Sequence, residues 1–180
     1  KIVANDNLNI DANTNLSLNG EWNTKRLVTN SQSLDLTANI TADDSVYLNT
    51  NGYLNSTSGS VSSKEVSLKS NQGNVDLNTK ITASDKLDIT SNGNLSLKNS
   101  ITSQNSINLQ SGGNQTINGD IQTNQINSIA TNGDIYTNGK IVAQDSINFN
   151  AAKNLSLNGE INTKQLVANA QSANISGNIT

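Results

Sequence analysis

The 180-residue chain contains no cysteine, histidine, methionine or proline, and its aromatic residues are one tryptophan, one phenylalanine and three tyrosines. Without cysteine there is no disulfide framework, thiolate nucleophile or sulfur-based metal site; without histidine the commonest general base and zinc ligand is missing as well. Serine–histidine hydrolysis is excluded. Positive charge is also scarce: Arg26 is the single arginine, and eleven basic residues stand against fourteen acidic ones, for a net charge of −3. They cannot form a basic stripe that neutralises nucleic-acid phosphates or holds an acidic bilayer, so we expect no nucleic-acid partner. No apolar run approaches a membrane span, which predicts no membrane insertion of this segment. The polar opening Lys1–Asp6 has no secretory apolar region, so any export address is expected outside these residues.

What the chain has instead is asparagine, 34 residues of it. Such a composition suits a disordered tract unless the apolar residues are periodic at solenoid spacing. They are periodic. From Val75 the chain divides into five successive rows of 20 residues, and rows of 18, 20 and 21 residues begin at Leu16, Leu34 and Leu54. Within a row the apolar residues fall at the first, third, seventh, thirteenth and fifteenth places, as in Leu95, Leu97, Ile101, Ile107 and Leu109. Spacing of two inside each group is the strand pattern, and helical spacing is not sustained. The ninth place is small (Thr24, Ala42, Ala83, Ser103, Thr123, Ala143, Thr163), which fits a crowded inner corner.

Gly and Asn punctuate the joints, as in Ser91–Asn94 and Asn138–Gly139, where we expect positive φ. Each row then reads as one coil of three short strands. Roughly nine coils stacked about 4.8 Å apart give an all-β parallel β-helix about 40 Å long, with Leu, Ile and Val in its interior. No single coil buries enough to offset its ordering entropy, so the array is stable only as an array. Asn74, Asn94, Asn114, Asn154 and Asn174 close their rows at one place. They form a ladder along the axis, or each serves its own turn.

A longer repeat overlies the short one. Residues 1–41 align without gaps on residues 140–180, an offset of 139, with 25 of 41 positions identical. Seven coils are duplicated as a block, within what we expect to be a single β-helical segment, 1–180, of a longer chain. The shared Leu27–Val28 and Leu166–Val167 bring the third strand forward by one place, which predicts a bulge or register change there.

Rows such as NLSLKNSITSQNSINLQSGG and NLSLNGEINTKQLVANAQS resemble the haemagglutinin repeats of filamentous haemagglutinin-like exoproteins, the long cargo of bacterial two-partner secretion. That group includes adhesins and the stalks of contact-dependent growth-inhibition toxins. The resemblance runs over essentially the whole chain. It implies a right-handed parallel β-helix, export through an outer-membrane secretion partner, and a rod displayed on or released from a Gram-negative surface.

Polysaccharide-active β-helices carry paired carboxylates, basic residues or calcium on one exposed sheet, so the acids were weighed for that role. Asp43–Asp44, the one adjacent pair, falls at a joint and reads as a solvated turn. Asp85 and Asp145 share a place but lie three rows apart, while Glu21, Asp120 and Glu160 recur beside Gly20, Gly119 and Gly159 as turn residues. The calcium-binding nonapeptide is missing, since Gly112–Gly113 is followed by Asn114–Gln115. The eighth place, Asn23, Thr41, Ser62, Thr82, Thr102, Gln122, Val142 and Asn162, is too interrupted for an ice-binding threonine ladder. We therefore expect no catalytic, metal or cofactor-binding residue.

Trp22 takes the seventh place held by Ile161 in the duplicate and is expected to fill an enlarged core, although an exposed aromatic there would suit a sugar. Tyr47 and Tyr136 fall between inward places on different rows. The eight Asn-x-Ser/Thr sequons are about as many as the composition alone produces. The function expected is that of a non-enzymatic rod holding an adhesive or toxic element away from the cell. The alternatives are a segment that itself binds a host or bacterial receptor or glycan and, third, a polysaccharide-active enzyme.

Overall fold

The computed structural model describes all 180 residues as 17 strands and no helix. The strands pair in parallel throughout, each with its equivalent in the coils before and after, and wind into a β-solenoid of about nine turns with about 20 residues per turn. The fifth coil has three separate strands, Leu95–Leu97, Ile101–Ser103 and Ser106–Ser111. In most other coils the second and third run together as one strand bent at the corner, as in Lys80–Ser91 and Ile141–Ala151.

Inward and outward residues alternate as the row pattern predicts. Leu95, Leu97, Ile101, Ile107 and Leu109 are all buried, and the apolar core is one continuous cluster of 38 residues along the axis. The small ninth place faces inward, with Thr24, Ala42, Ala83, Ser103, Thr123 and Ala143 buried and only Thr163 partly open. Trp22 lies in the core between Ile2 and Ile40, and its indole N–H donates to Asn19 O at 2.7 Å. The ring thus buries its apolar body while its polar atom finds a carbonyl in the adjoining turn.

The register change at Leu27 and Leu166 is present. Between second and third strands one coil spends one residue fewer than its neighbour, so pairing shifts at Thr24/Arg26 and again where Ala143/Ser146 meets Thr163/Gln165. The same short corner occurs at Ser63/Glu65 and at Thr123/Gln125, which the sequence pattern does not single out.

The short corner at Thr123 revises the core. It turns Ile126, Ser128 and Ala130 inward and leaves Ile129 partly exposed, whereas the row pattern places Ile129 inside. Ser128 then faces Gln115, which occupies a first place held by Leu or Val in the rows before it and is fully buried. Ser128 Oγ donates to Gln115 Oε1 at 2.6 Å, and Gln115 Nε2 donates to Ile129 O at 2.5 Å. The interior is therefore not a pure Leu, Ile and Val column. Phe149 pairs in register with Ser128, so a large ring fills the space a small side chain leaves.

A further inward place, the seventeenth, was not anticipated. Thr50, Ser70, Ser91 and Ser111 are buried there, and their hydroxyls bond turn carbonyls: Ser91 Oγ to Gly73 O at 2.9 Å and Ser111 Oγ to Gly113 O at 2.8 Å.

The joints are not built on positive φ. Only Gly20 (φ 74°) and Gly59 (φ 96°) adopt it, and no asparagine does. At most joints glycine is required for space: a Cβ at Gly139 or Gly159 would run into the backbone carbonyl of the glycine one coil below. Backbones stack directly at that corner, and no side chain fits between them.

Candidate functional site

With the core accounted for, any function must reside on the outward residues. Asparagine dominates them, and the ladder reading is the one realised. Asn94 N–H donates to Asn74 Oδ1 at 2.8 Å, Asn114 N–H to Asn94 Oδ1 at 2.8 Å, Asp134 N–H to Asn114 Oδ1 at 2.9 Å, and Asn154 N–H to Asp134 Oδ1 at 2.9 Å. Each side chain accepts from the backbone one coil on, so the ladder is closed by main-chain donors that the turn would leave unpaired. Asp134 belongs to the series because a carboxylate oxygen accepts the same bond; Asn174 does not. Ser172, not Asn174, pairs with Asn154, because the last full row has 18 residues like its duplicate at Leu16. A second ladder runs side chain to side chain: Asn138 Nδ2 donates to Asn118 Oδ1 at 2.7 Å and Asn158 Nδ2 to Asn138 Oδ1 at 3.0 Å.

Charged groups are tied up pairwise. Lys98 bonds Asp76, Lys86 bonds Asp88 and Lys140 bonds Glu160, each at 2.7 Å, and Lys164 reaches Asp145 at 3.1 Å. Asp85 accepts from Asn105 Nδ2 at 2.5 Å, and Asp120 accepts from Lys140 N–H at 2.8 Å. Asp43 and Asp44 are solvent-exposed at a corner. No group of three or more acidic residues comes together that could hold a metal ion.

The tyrosines are held by carboxylates on separate coils. Tyr47 donates to Glu65 at 3.0 Å beneath the Arg26 guanidinium, 5.1 Å from the ring centre, and the bond to Glu65 raises its pKa. Tyr136 donates to Asp134 at 3.0 Å, and Tyr53, the more exposed, to Asp35 at 3.3 Å. The Asn154 N–H, aided by Tyr136, holds the Asp134 carboxyl below its ordinary range. No two tyrosines share a stacking strip.

The concavities are open trenches of about 220 to 470 Å³ along the corners. The trench by Asp11, Asn30, Asn49 and Asn71 is walled by amides, and Asn30 Nδ2 donates to Asp11 while Asn49 Nδ2 donates to Asn30. Those bonds satisfy the groups within the wall. The molecule is defined by its form, a parallel β-solenoid whose outward polar groups chiefly bind its own neighbouring coils. Comparison with family models, curated proteins and solved structures finds no match to the chain.

Proposed function

We propose that the chain is a structural rod segment of a secreted, surface-displayed bacterial exoprotein of the haemagglutinin-repeat kind, which projects an adhesive or toxic element from a Gram-negative cell. The observation that carries this reading is the continuity of the stack. About nine coils share one unbroken core, and no insertion larger than a turn leaves the solenoid. The mechanism is geometric: each coil adds about 4.8 Å of length, and ladders of backbone bonds resist bending.

Export through an outer-membrane partner suits a chain with no cysteine, since no disulfide can form before passage through a pore. On this reading the segment has no catalytic role and takes no cofactor. The competing adhesive reading, with a receptor or glycan bound by the segment itself, is tested on a glycan array and in a cell-binding assay with the isolated chain. We expect no saturable binding in either. Reproducible saturable binding to one glycan class would remove the pure-spacer role, and hydrolysis of a polysaccharide, lost on changing one acid, would restore the enzymatic one.

A further inference from the structure

Large exposed apolar residues concentrate at the two ends of the rod: Ile2 and Val3 at one, Val167, Ile175 and Ile179 at the other. The edges there carry unpaired backbone groups, because the strand Ile2–Leu18 pairs only with Glu21–Leu36, and Ile161–Asn169 has a full partner only in Ile141–Ala151.

The two edges are related to a pairing that already exists inside the molecule. The strand Ile121–Ala130 receives Ile141–Ala151 on its following edge, in the register Ile121↔Ile141, Thr123↔Ala143, Gln125↔Ser146 and Ile126↔Ile147. The incoming strand of that pair is the duplicate of residues 2–12, with Ile2, Val3, Ala4, Asp6, Asn9 and Ala12 unchanged. The receiving strand has its own counterpart at the C-terminal edge. Ile161, Thr163, Gln165 and Ala170 repeat Ile121, Thr123, Gln125 and Ala130, with Leu166 for Ile126 and Ala168 for Ser128. Both receiving strands also have the short corner, so the one-residue offset between Thr123/Gln125 and Ala143/Ser146 is reproduced by Thr163/Gln165 against Ala4/Asn7.

We propose that copies of this chain add end to end, the strand Ile2–Leu18 of one copy pairing in parallel with Ile161–Asn169 of another as Ile141–Ala151 pairs with Ile121–Ala130. The register sets Ile2 on Ile161, Ala4 on Thr163, Leu8 on Leu166, Asn9 on Val167 and Ile10 on Ala168. It also brings opposite charges together. Lys1 meets Glu160 where Lys140 meets Asp120 in the interior, and Asp6 comes to the corner that carries Lys164.

The last three residues hold part of this edge. Ile161 N–H donates to Asn178 O at 2.8 Å, Thr180 N–H to Ile161 O at 2.9 Å and Thr163 N–H to Thr180 O at 3.0 Å. The incoming strand displaces that bridge and takes over its bonds. Such an interface is head-to-tail and does not close, so the product is a filament of variable length rather than a defined dimer.

The absence of native cysteine makes the test unambiguous. In the double variant Asn9→Cys, Val167→Cys the two thiols lie at opposite ends of one molecule but face each other across a junction. There the inter-strand spacing of about 4.8 Å falls within the Cα separation a disulfide accepts. Oxidation of the folded protein, checked by circular dichroism, is expected to give a ladder of dimers, trimers and higher species on a non-reducing gel. Removal of Asn178–Thr180 from the same variant is expected to raise the cross-linked fraction. Monomer alone from the folded double variant, or a Val167→Cys single variant that dimerises as completely as the double variant polymerises, would overturn the proposal.

Discussion

An asparagine that closes one coil meets the backbone N–H of the next at hydrogen-bond distance, and a carboxylate does the same at Asp134. Asp134 Oδ1 accepts both the backbone N–H and the side-chain amide of Asn154, at 2.9 and 2.8 Å, and the neighbouring oxygen accepts from Tyr136. These bonds favour the ionised form and lower its pKa from 3.8. A carboxyl lowered on folding contributes stability that is complete above its unfolded pKa and is lost as pH falls through the folded value. The group is solvent-facing, so the effect is small. Thermal melts from pH 6 downward to about pH 2 should therefore show Asp134→Asn losing less stability than the parent below about pH 4, the two being similar at neutral pH. A parallel decline of both would show that the Asp134 bonds do not favour the charged form.

Residue position is equally sharp between the faces. Ile101 is 1 % exposed, while the next residue, Thr102, points outward. Ile101→Asp buries an unpaired carboxyl in the core and should cost more than about 3 kcal/mol, whereas Thr102→Asp should stay within about 1 kcal/mol. Urea unfolding of the two variants decides this, and equal losses would mean that the inward assignment fails.

At the level of the strand, Gln115 and Ser128 decide which way the coil faces. A slip of one residue in the third strand would put Asn127 and Ile129 inside in place of Ile126 and Ser128. The bonds from Ser128 to Gln115, and from Gln115 to Ile129 O, exist only in the observed register. Gln115→Leu alone leaves the Ser128 hydroxyl buried without its acceptor, and Ser128→Ala alone leaves an amide oxygen unpaired. Each single change should destabilise by about 1 to 3 kcal/mol, while the double variant should recover most of the loss. Additive losses in denaturant melts would show that the pair does not act as a unit.

This strand also marks where sequence reasoning gives out. The alternation of Leu95, Leu97, Ile101, Ile107 and Leu109 reveals coil, strand and core together, because each inward residue announces itself by being apolar. Gln115, Ser128 and the seventeenth-place hydroxyls carry no such mark, and their partners lie in another strand or in the turn. The glycines were legible as joints but not for the right cause: close stacking of backbones depends on the coil below, which local sequence does not display. For the outward face, sequence anticipated the scattered acids and isolated tyrosines. It could not foretell which amides would reach the next backbone N–H.

Across the whole molecule, nearest-neighbour stacking predicts a gradient. Every interior coil is held on two sides, while the first and last are each held on one, and opening free energy should rise toward the middle of this chain. Amide exchange followed by mass spectrometry should therefore find Leu95–Leu109 slowest and the segments Ile2–Leu18 and Ser172–Ile175 fastest. Uniform protection along the rod would point to all-or-none opening instead.

The corner between second and third strands has a different kind of consequence. It is spanned by one residue fewer at Thr24, Ser63, Thr123 and Thr163 than at Ala42, Ala83 and Ala143, and after each change the following ladder regains its pairing. A lost or gained residue at that bend is thus absorbed before the next turn is complete. Over generations such a chain can drift in length at its corners, as the row lengths of 18, 20 and 21 record, without any coil above having to be rewritten.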